Sequence, residues 1–182
     1  MSLTASELGR FRPYLSFLAR VSWDRRLQNK LDPSDLVQQT LLFATKSIEQ
    51  FRGTTDDELA GWLRQILANI LLEQQRHFQR DKRHSSREVP MGDILSESSR
   101  RISSFASHDR SPTENIEFNE QALQIATALE SLPKDQLEAL VLHYWQGHSI
   151  REISQMLGRS HAAIGGLVHR GLKSLRKELA EI

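Results

Sequence analysis

Apolar residues recur every three to four positions along most of this chain, and nowhere alternate over a strand-length run. That period marks amphipathic α-helices. In "PSDLVQQTLLFATKSIEQF" the apolar positions are Leu36, Val37, Leu41, Phe43, Ala44, Ile48 and Phe51. Pro33 and Ser34 suit a helix start, and Gly53 suits its stop. "DDELAGWLRQILANILLEQQRHFQR" repeats the pattern with Leu59, Trp62, Leu63, Ile66, Leu67, Ile70 and Leu71. Its first turn is acidic and its last turns are basic, which complements the helix dipole. A shorter amphipathic piece, "ELGRFRPYLSFLARV", precedes both, with Pro13 making its start irregular.

The periodicity dissolves in "HSSREVPMGDILSESSRRISSFASHDRSP", which is rich in Ser and Arg and reads as a linker with one short helix around 94–105. It resumes at Ser111-Pro112-Thr113-Glu114, where Ser can cap, Pro fits the first helical position and Glu completes a capping box. Phe118, Ala122, Leu123, Ile125, Ala126 and Leu129 form the apolar face that follows. Pro133 then opens a helix expected to run to about Gln146, with Gly147 as its stop. Ser149-Ile150-Arg151-Glu152 is a second capping box, opening a short helix that ends at Gly158. Ser160 can cap the last helix, which runs past Leu179. A short helix, a tight turn containing Gly and a longer helix make a helix-turn-helix. Ile150, Ile153, Leu157, Ile164, Val168, Leu172 and Leu175 are spaced to give the pair a shared core. The expected fold is all-α: two small helical domains, 1–88 and 112–182, joined by a flexible linker at 89–111.

Composition narrows the class. With 182 residues, ordinary apolar content and no Cys, the chain can bury a core but holds no disulfide or thiolate metal site. No apolar run approaches the ~20 residues of a membrane span. The opening "MSLTASELGRFRPYL" lacks the apolar centre of a signal peptide, so no membrane insertion and a cytoplasmic location are expected. The formal net charge is only +1, but it is uneven. Six Lys or Arg face two acids over 64–87, and three Arg face six acids over 95–130. A basic segment, an acidic middle and a mildly basic end suggest two functional regions and a connector.

The helix-turn-helix points to major-groove DNA recognition by its second helix. On a helical wheel Ile164, Val168, Gly171 and Leu175 form the inner stripe, while Ala162, Gly166, His169, Arg170 and Lys173 face outward. That outer face is small at its N-terminal half and basic at its C-terminal half. Gly165 and Gly166 each cost a helix interior about 1 kcal/mol relative to Ala, but they let backbone approach DNA closely. Arg159, His169, Arg170 and Lys173 can supply phosphate contacts. The basic helix over 62–83 carries Trp62, Phe78, Asn69, Gln74, Gln75 and His77 among arginines, groups able to stack on and hydrogen-bond unpaired bases. In the third constellation, "DPSDLVQQTLLFA", Asp35, Gln38, Gln39 and Thr40 lie on an outer face that could dock a partner helix. No P-loop, dinucleotide turn or nucleophile–base arrangement is present, and the histidines lack metal-ligand spacing. Neither an enzyme nor a cofactor or metal is expected.

The order of these pieces resembles the extracytoplasmic-function sigma factors of bacterial RNA polymerase, over nearly the whole chain. "DPSDLVQQTLLFATKSIEQFRG" is similar to that family's helix that binds the polymerase clamp; the resemblance implies contact through Asp35, Leu36, Val37, Gln38, Gln39 and Thr40. "WLRQILANILLEQQRHFQRDKR" is similar to the stretch that melts and reads the −10 element, implying Trp62, Arg64, Gln65, Asn69, Gln74, Arg76, Phe78 and Arg80. "LPKDQLEALVLHYWQGHSIREISQMLGRSHAAIGGLVHRGLKSLRKEL" is similar to the domain that reads the −35 element. There the resemblance implies Arg159, Ser160, His161, Ala162, Gly165, Gly166, His169, Arg170 and Lys173. The implied partners are core RNA polymerase, promoter DNA and, as is common for such factors, an anti-sigma protein. The linker would follow the RNA-exit path. Two departures stand out. Many members have Lys-Ser-Arg where this chain has Gly165-Gly166-Leu167, and more arginine where it has Gln74-Gln75. The latter implies melting that depends on a near-consensus promoter. Two rivals make different demands. A stand-alone helix-turn-helix regulator would dimerise on a palindromic duplex. A sigma decoy would bind polymerase and not DNA.

Overall fold

The computed structural model describes residues 5–22, 32–84 and 112–180, and every regular element among them is helical. Two compact units are present, Met1–Glu120 and Gln121–Ile182. The expected linker at 89–111 lies outside the described residues.

In the first unit the N-terminal amphipathic piece is two helices, α1 (Ala5–Gly9) and α2 (Arg12–Ser22). Pro13 sits in the first turn of α2, where its missing N–H costs nothing. Helix α3 (Pro33–Lys46) is capped by Asp32, whose carboxylate accepts the Ser34 N–H at 2.8 Å, with Pro33 at the first helical position. It ends at Ser47, before the expected Gly53. A single 3-10 turn, Ile48–Gln50, follows and carries the chain to Phe51. The long helix α4 (Asp56–His84) begins at a cap absent from the sequence reading. Thr55 Oγ1 accepts the Glu58 N–H at 3.2 Å, and Glu58 Oε2 accepts the N–H groups of Thr54 (2.7 Å) and Thr55 (3.1 Å). These backbone donors, that of Thr54 foremost, hold the Glu58 carboxyl below its ordinary pKa. An ion pair between Arg10 and Asp56 ties the first turn of α4 to the end of α1. Tyr14, Leu15 and Leu18 of α2, Leu36 of α3, and Leu59, Leu63 and Leu67 of α4 form the core; all are fully or almost fully buried.

The second unit takes the last part of α5 (Pro112–Glu130), then α6 (Lys134–Leu140), α7 (Ile150–Leu157) and α8 (His161–Ala180). The helix opened by Pro133 does not stay α-helical to Gln146. After Leu140 it widens into a π-helical turn, Val141–Trp145, before Gly147 reverses the chain at φ +76°. The His148 N–H reaches the Leu142 carbonyl at 2.9 Å, and His143 Nδ1 lies 2.8 Å from the His148 carbonyl. Those two bonds fold the loop back onto the widened turn.

Candidate nucleic-acid interface

Helix α7 starts on the capping box read from sequence. Ser149 Oγ accepts the Glu152 N–H at 3.2 Å, and Glu152 Oε2 accepts the Ser149 N–H at 2.8 Å. The Ser149 backbone N–H is the main cause of a lowered Glu152 pKa. Gly158 ends α7 in the left-handed region at φ +62°, which Gly adopts without strain. Ser160 then caps α8, its Oγ accepting the Ala163 N–H at 3.2 Å. Three residues therefore separate the two helices, the spacing of a helix-turn-helix.

The pair is held by Ile153 and Ile164, both fully buried, and by Leu167, Val168 and Leu175. Ile150, Leu157 and Leu172, expected in this core, are only half-buried at its margin. Gly171 explains how α8 lies so close to α6. A Cβ there would stand 3.0 Å from Leu140 Cδ1 and 3.3 Å from Gln136 Cβ, so Leu140 and Gln136 would have to shift to admit a side chain.

The outward side of α8 carries the residues picked for duplex contact. His161, Ala162, His169, Arg170 and Lys173 are exposed, as is Ser160 ahead of the helix, while Gly165 and Gly166 are half-buried. Arg159 is exposed but engaged: its Nη2 donates to Asp135 Oδ2 of α6 at 2.6 Å. The turn is thereby pinned to the first turn of α6, and a phosphate contact by Arg159 would have to exchange that partner. Three cationic or imidazole side chains, His169, Arg170 and Lys173, are exposed in the middle of α8. Ahead of them in α8, His161 is the one polar side chain.

In the first unit, α4 presents Gln65, Asn69 and Arg76 along one side, with Gln65 Nε2 donating to Asn69 Oδ1 at 3.2 Å. Gln74 is half-buried, and the side chains of Phe78 and Arg80 lie outside the described residues. Trp62 is half-buried and packs on Phe51, ring centroids 5.3 Å apart and tilted by 39°. Arg64 is a correction. It is only 9% exposed, with Nη1 3.4 Å from the Tyr14 hydroxyl, so it braces α4 against α2 and does not face outward. Gln75 is buried as well.

Helix α3 requires a second correction. Thr40, expected on the outer face, is fully buried, and its hydroxyl donates to the Leu36 carbonyl at 2.7 Å, which satisfies it without an outside partner. Leu36 and Val37 are buried core residues of this unit. The outer surface is Asp35, Gln38 and Gln39 together with Leu42 (57% exposed) and Phe43 (53% exposed). At roughly 100° per residue, Thr40 falls in the middle of the arc spanned by Pro33, Leu36, Val37 and Ala44. Leu42 falls opposite and Phe43 at the edge. Angular position identifies this surface, whereas residue polarity misassigns it.

A cleft of about 830 Å³ opens beside the segment joining α3 to α4, lined by Arg10, Ile48, Phe51, Thr54, Thr55 and Asp56 among others. The ion pair across it joins residues 46 apart in sequence, so no local pattern announces it. Among the described residues no cluster of three or more His, Asp or Glu could hold a metal ion, and no helix is long and apolar enough to cross a membrane.

Residues 122–175 match the family model for sigma-70, region 4. The ECF RNA polymerase sigma factor EcfG of Rhodopseudomonas palustris is 33% identical over 144 residues, 78% of this chain and 67% of that one. The ECF RNA polymerase sigma factor SigE of Mycolicibacterium smegmatis is 28% identical over 153 residues, 84% of this chain and 54% of that one. This chain thus spans about half the length of SigE. A solved structure, the sigma factor RpoE in complex with the anti-sigma factor NepR from Bartonella quintana, is similar at 22% identity. That likeness covers 96% of this chain and 95% of the other, with a TM-score of 0.38.

Proposed function

Because the chain belongs to the extracytoplasmic-function sigma factor family, we propose that it binds core RNA polymerase and directs initiation at specific promoters. In this reading the segment 1–88 docks on the polymerase and engages the opened −10 strand, and 112–182 reads the −35 duplex. Residues 89–111 connect them. The protein is then a binding module working in the cytoplasm, lending sequence preference to a catalytic core that it does not contain.

The observation that carries the reading is the helix-turn-helix of the second unit, with α8 presenting His169, Arg170 and Lys173 outward. Helices built this way insert into the major groove. The first unit adds a complementary feature. Leu42 and Phe43 are large apolar groups left in water beside Asp35, Gln38 and Gln39, a composition that fits a protein interface better than a phosphate surface. Polymerase binding would then use the outer face of α3, with Leu36, Val37 and Thr40 supporting it from inside. A net charge of +1 accords with weak DNA binding by the free chain.

The test is to mix the purified chain with bacterial core polymerase, ask whether the two co-elute, and map transcripts from a fragment library. Co-elution with new start sites sharing upstream elements is the expected result. Tight, dimeric duplex binding by the chain alone, with no affinity for core, would instead mean a stand-alone regulator. Core binding without new start sites would mean a decoy.

A further inference from the structure

The two adjacent glycines on α8 are not equivalent. A Cβ on Gly165 would meet nothing within 4 Å. A Cβ on Gly166 would stand 3.1 Å from Arg170 Nη1 and 3.6 Å from its Cζ and Nη2. The Arg170 side chain therefore runs back one turn toward the helix N-terminus, and its guanidinium rests where a side chain at 166 would begin. Long helical side chains cover the turn N-terminal to their own Cα, and the residue four positions earlier normally contests that space. Here the contest has been removed.

We propose that Gly166 is a positioning residue for DNA reading: it lets the Arg170 guanidinium lie over the first half of α8 and act there as the helix's guanine reader. The inference rests on the promoter-binding reading of the second unit and names how that site recognises sequence. Recognition helices read base edges through their N-terminal residues. In α8 those are His161, Ala162 and Ala163, of which only His161 carries a polar side chain. A guanidinium delivered from position 170 supplies a planar, five-donor fork that matches the O6 and N7 acceptors of guanine.

The experiment uses the full chain bound to core polymerase. The probe is a duplex recovered from a random-sequence library by that complex, rebuilt with 7-deazaguanine at one guanine at a time to remove N7. The wild-type complex is expected to lose about tenfold in affinity at one position, and Arg170→Ala should lose that sensitivity. Gly166→Ala is expected to weaken binding several-fold and blunt the same sensitivity. The double variant Gly166→Ala/Arg170→Ala should bind no worse than Arg170→Ala alone. Gly165→Ala changes helix propensity equally without touching Arg170, so its effect should add to that of Arg170→Ala. Additive losses from Gly166→Ala and Arg170→Ala would overturn the proposal, because the added methyl would then be colliding with DNA on its own account. So would a 7-deazaguanine profile unchanged in Gly166→Ala or in Arg170→Ala. Failure of the wild-type chain to bind core or recover any duplex would remove the promoter-binding premise, and the inference with it.

Discussion

Helices α3 and α8 have similar inner faces and opposite outer ones. Each buries a stripe of aliphatic residues at helical spacing, Leu36, Val37 and Ala44 in one, Ile164, Leu167 and Val168 in the other. Outward, α3 leaves Leu42 and Phe43 in water, while α8 spends two positions on glycine. Each choice costs something for an isolated chain. Exposed leucine and phenylalanine forgo burial, and glycine in a helix interior forgoes stability. In both helices the inner face accounts for folding, and under the proposed function the departure on the outer face is where a partner would sit. The kind of departure separates the partners: surplus apolar area on α3 suits a protein surface, and the glycines of α8 beside exposed His169, Arg170 and Lys173 suit a duplex.

The largest effects should come from the inner faces, where the two helices are alike. Leu36→Ala and Ile164→Ala, both at fully buried positions, should each destabilise the chain by about 3 kcal/mol in urea unfolding. A much smaller loss from Leu36→Ala would return that residue to the partner-facing surface. Next in size, Phe43→Asp should weaken core polymerase binding by about thirtyfold, roughly 2 kcal/mol, with the unfolding midpoint almost unmoved because the side chain is already 53% exposed. A large stability loss with intact binding would break the contrast between the two sides of α3.

Smaller shifts are expected at the ends of helices. Ser149→Ala removes the hydroxyl of the α7 capping box and should cost about 1 kcal/mol. The cap also has a pH signature. Glu152 is held below its ordinary pKa in the folded chain, first by the Ser149 backbone N–H, so the folded state favours the carboxylate. That contribution is complete above the unfolded-state glutamate pKa and is lost as pH falls through it toward the lower folded value. Glu58 at the start of α4 has the same sign, from the Thr54 backbone N–H. Acid titration by circular dichroism should show Glu152→Gln with a shallower loss of stability than wild type. The smallest effect separates the glycines: Gly165→Ala, with open space around the new methyl, should stabilise α8 by up to about 1 kcal/mol, read as a raised Tm. A lowered Tm would mean that Gly165 is needed by the fold itself.

Much of this architecture is local and therefore legible along the chain. The capping box at Ser149, the cap at Ser160, the left-handed stops at Gly147 and Gly158, and the 3.6-residue stripes of α4 and α8 depend on neighbours within one turn, so residue spacing determines them. The all-α class and the helix-turn-helix follow from those local terms. What tertiary structure decided is which side of each stripe faces a neighbour and how far. Burial of Thr40 and Arg64 and exposure of Leu42 and Phe43 depend on which neighbouring helices each helix packs against. A hydroxyl can be buried when its own helix supplies an acceptor, and a guanidinium when it lies against a tyrosine from another helix. The glycines of α8 divide the same way. Their cost was visible in the sequence, but only the packed structure assigns Gly171 to Leu140, Gly166 to Arg170, and Gly165 to no group among the described residues.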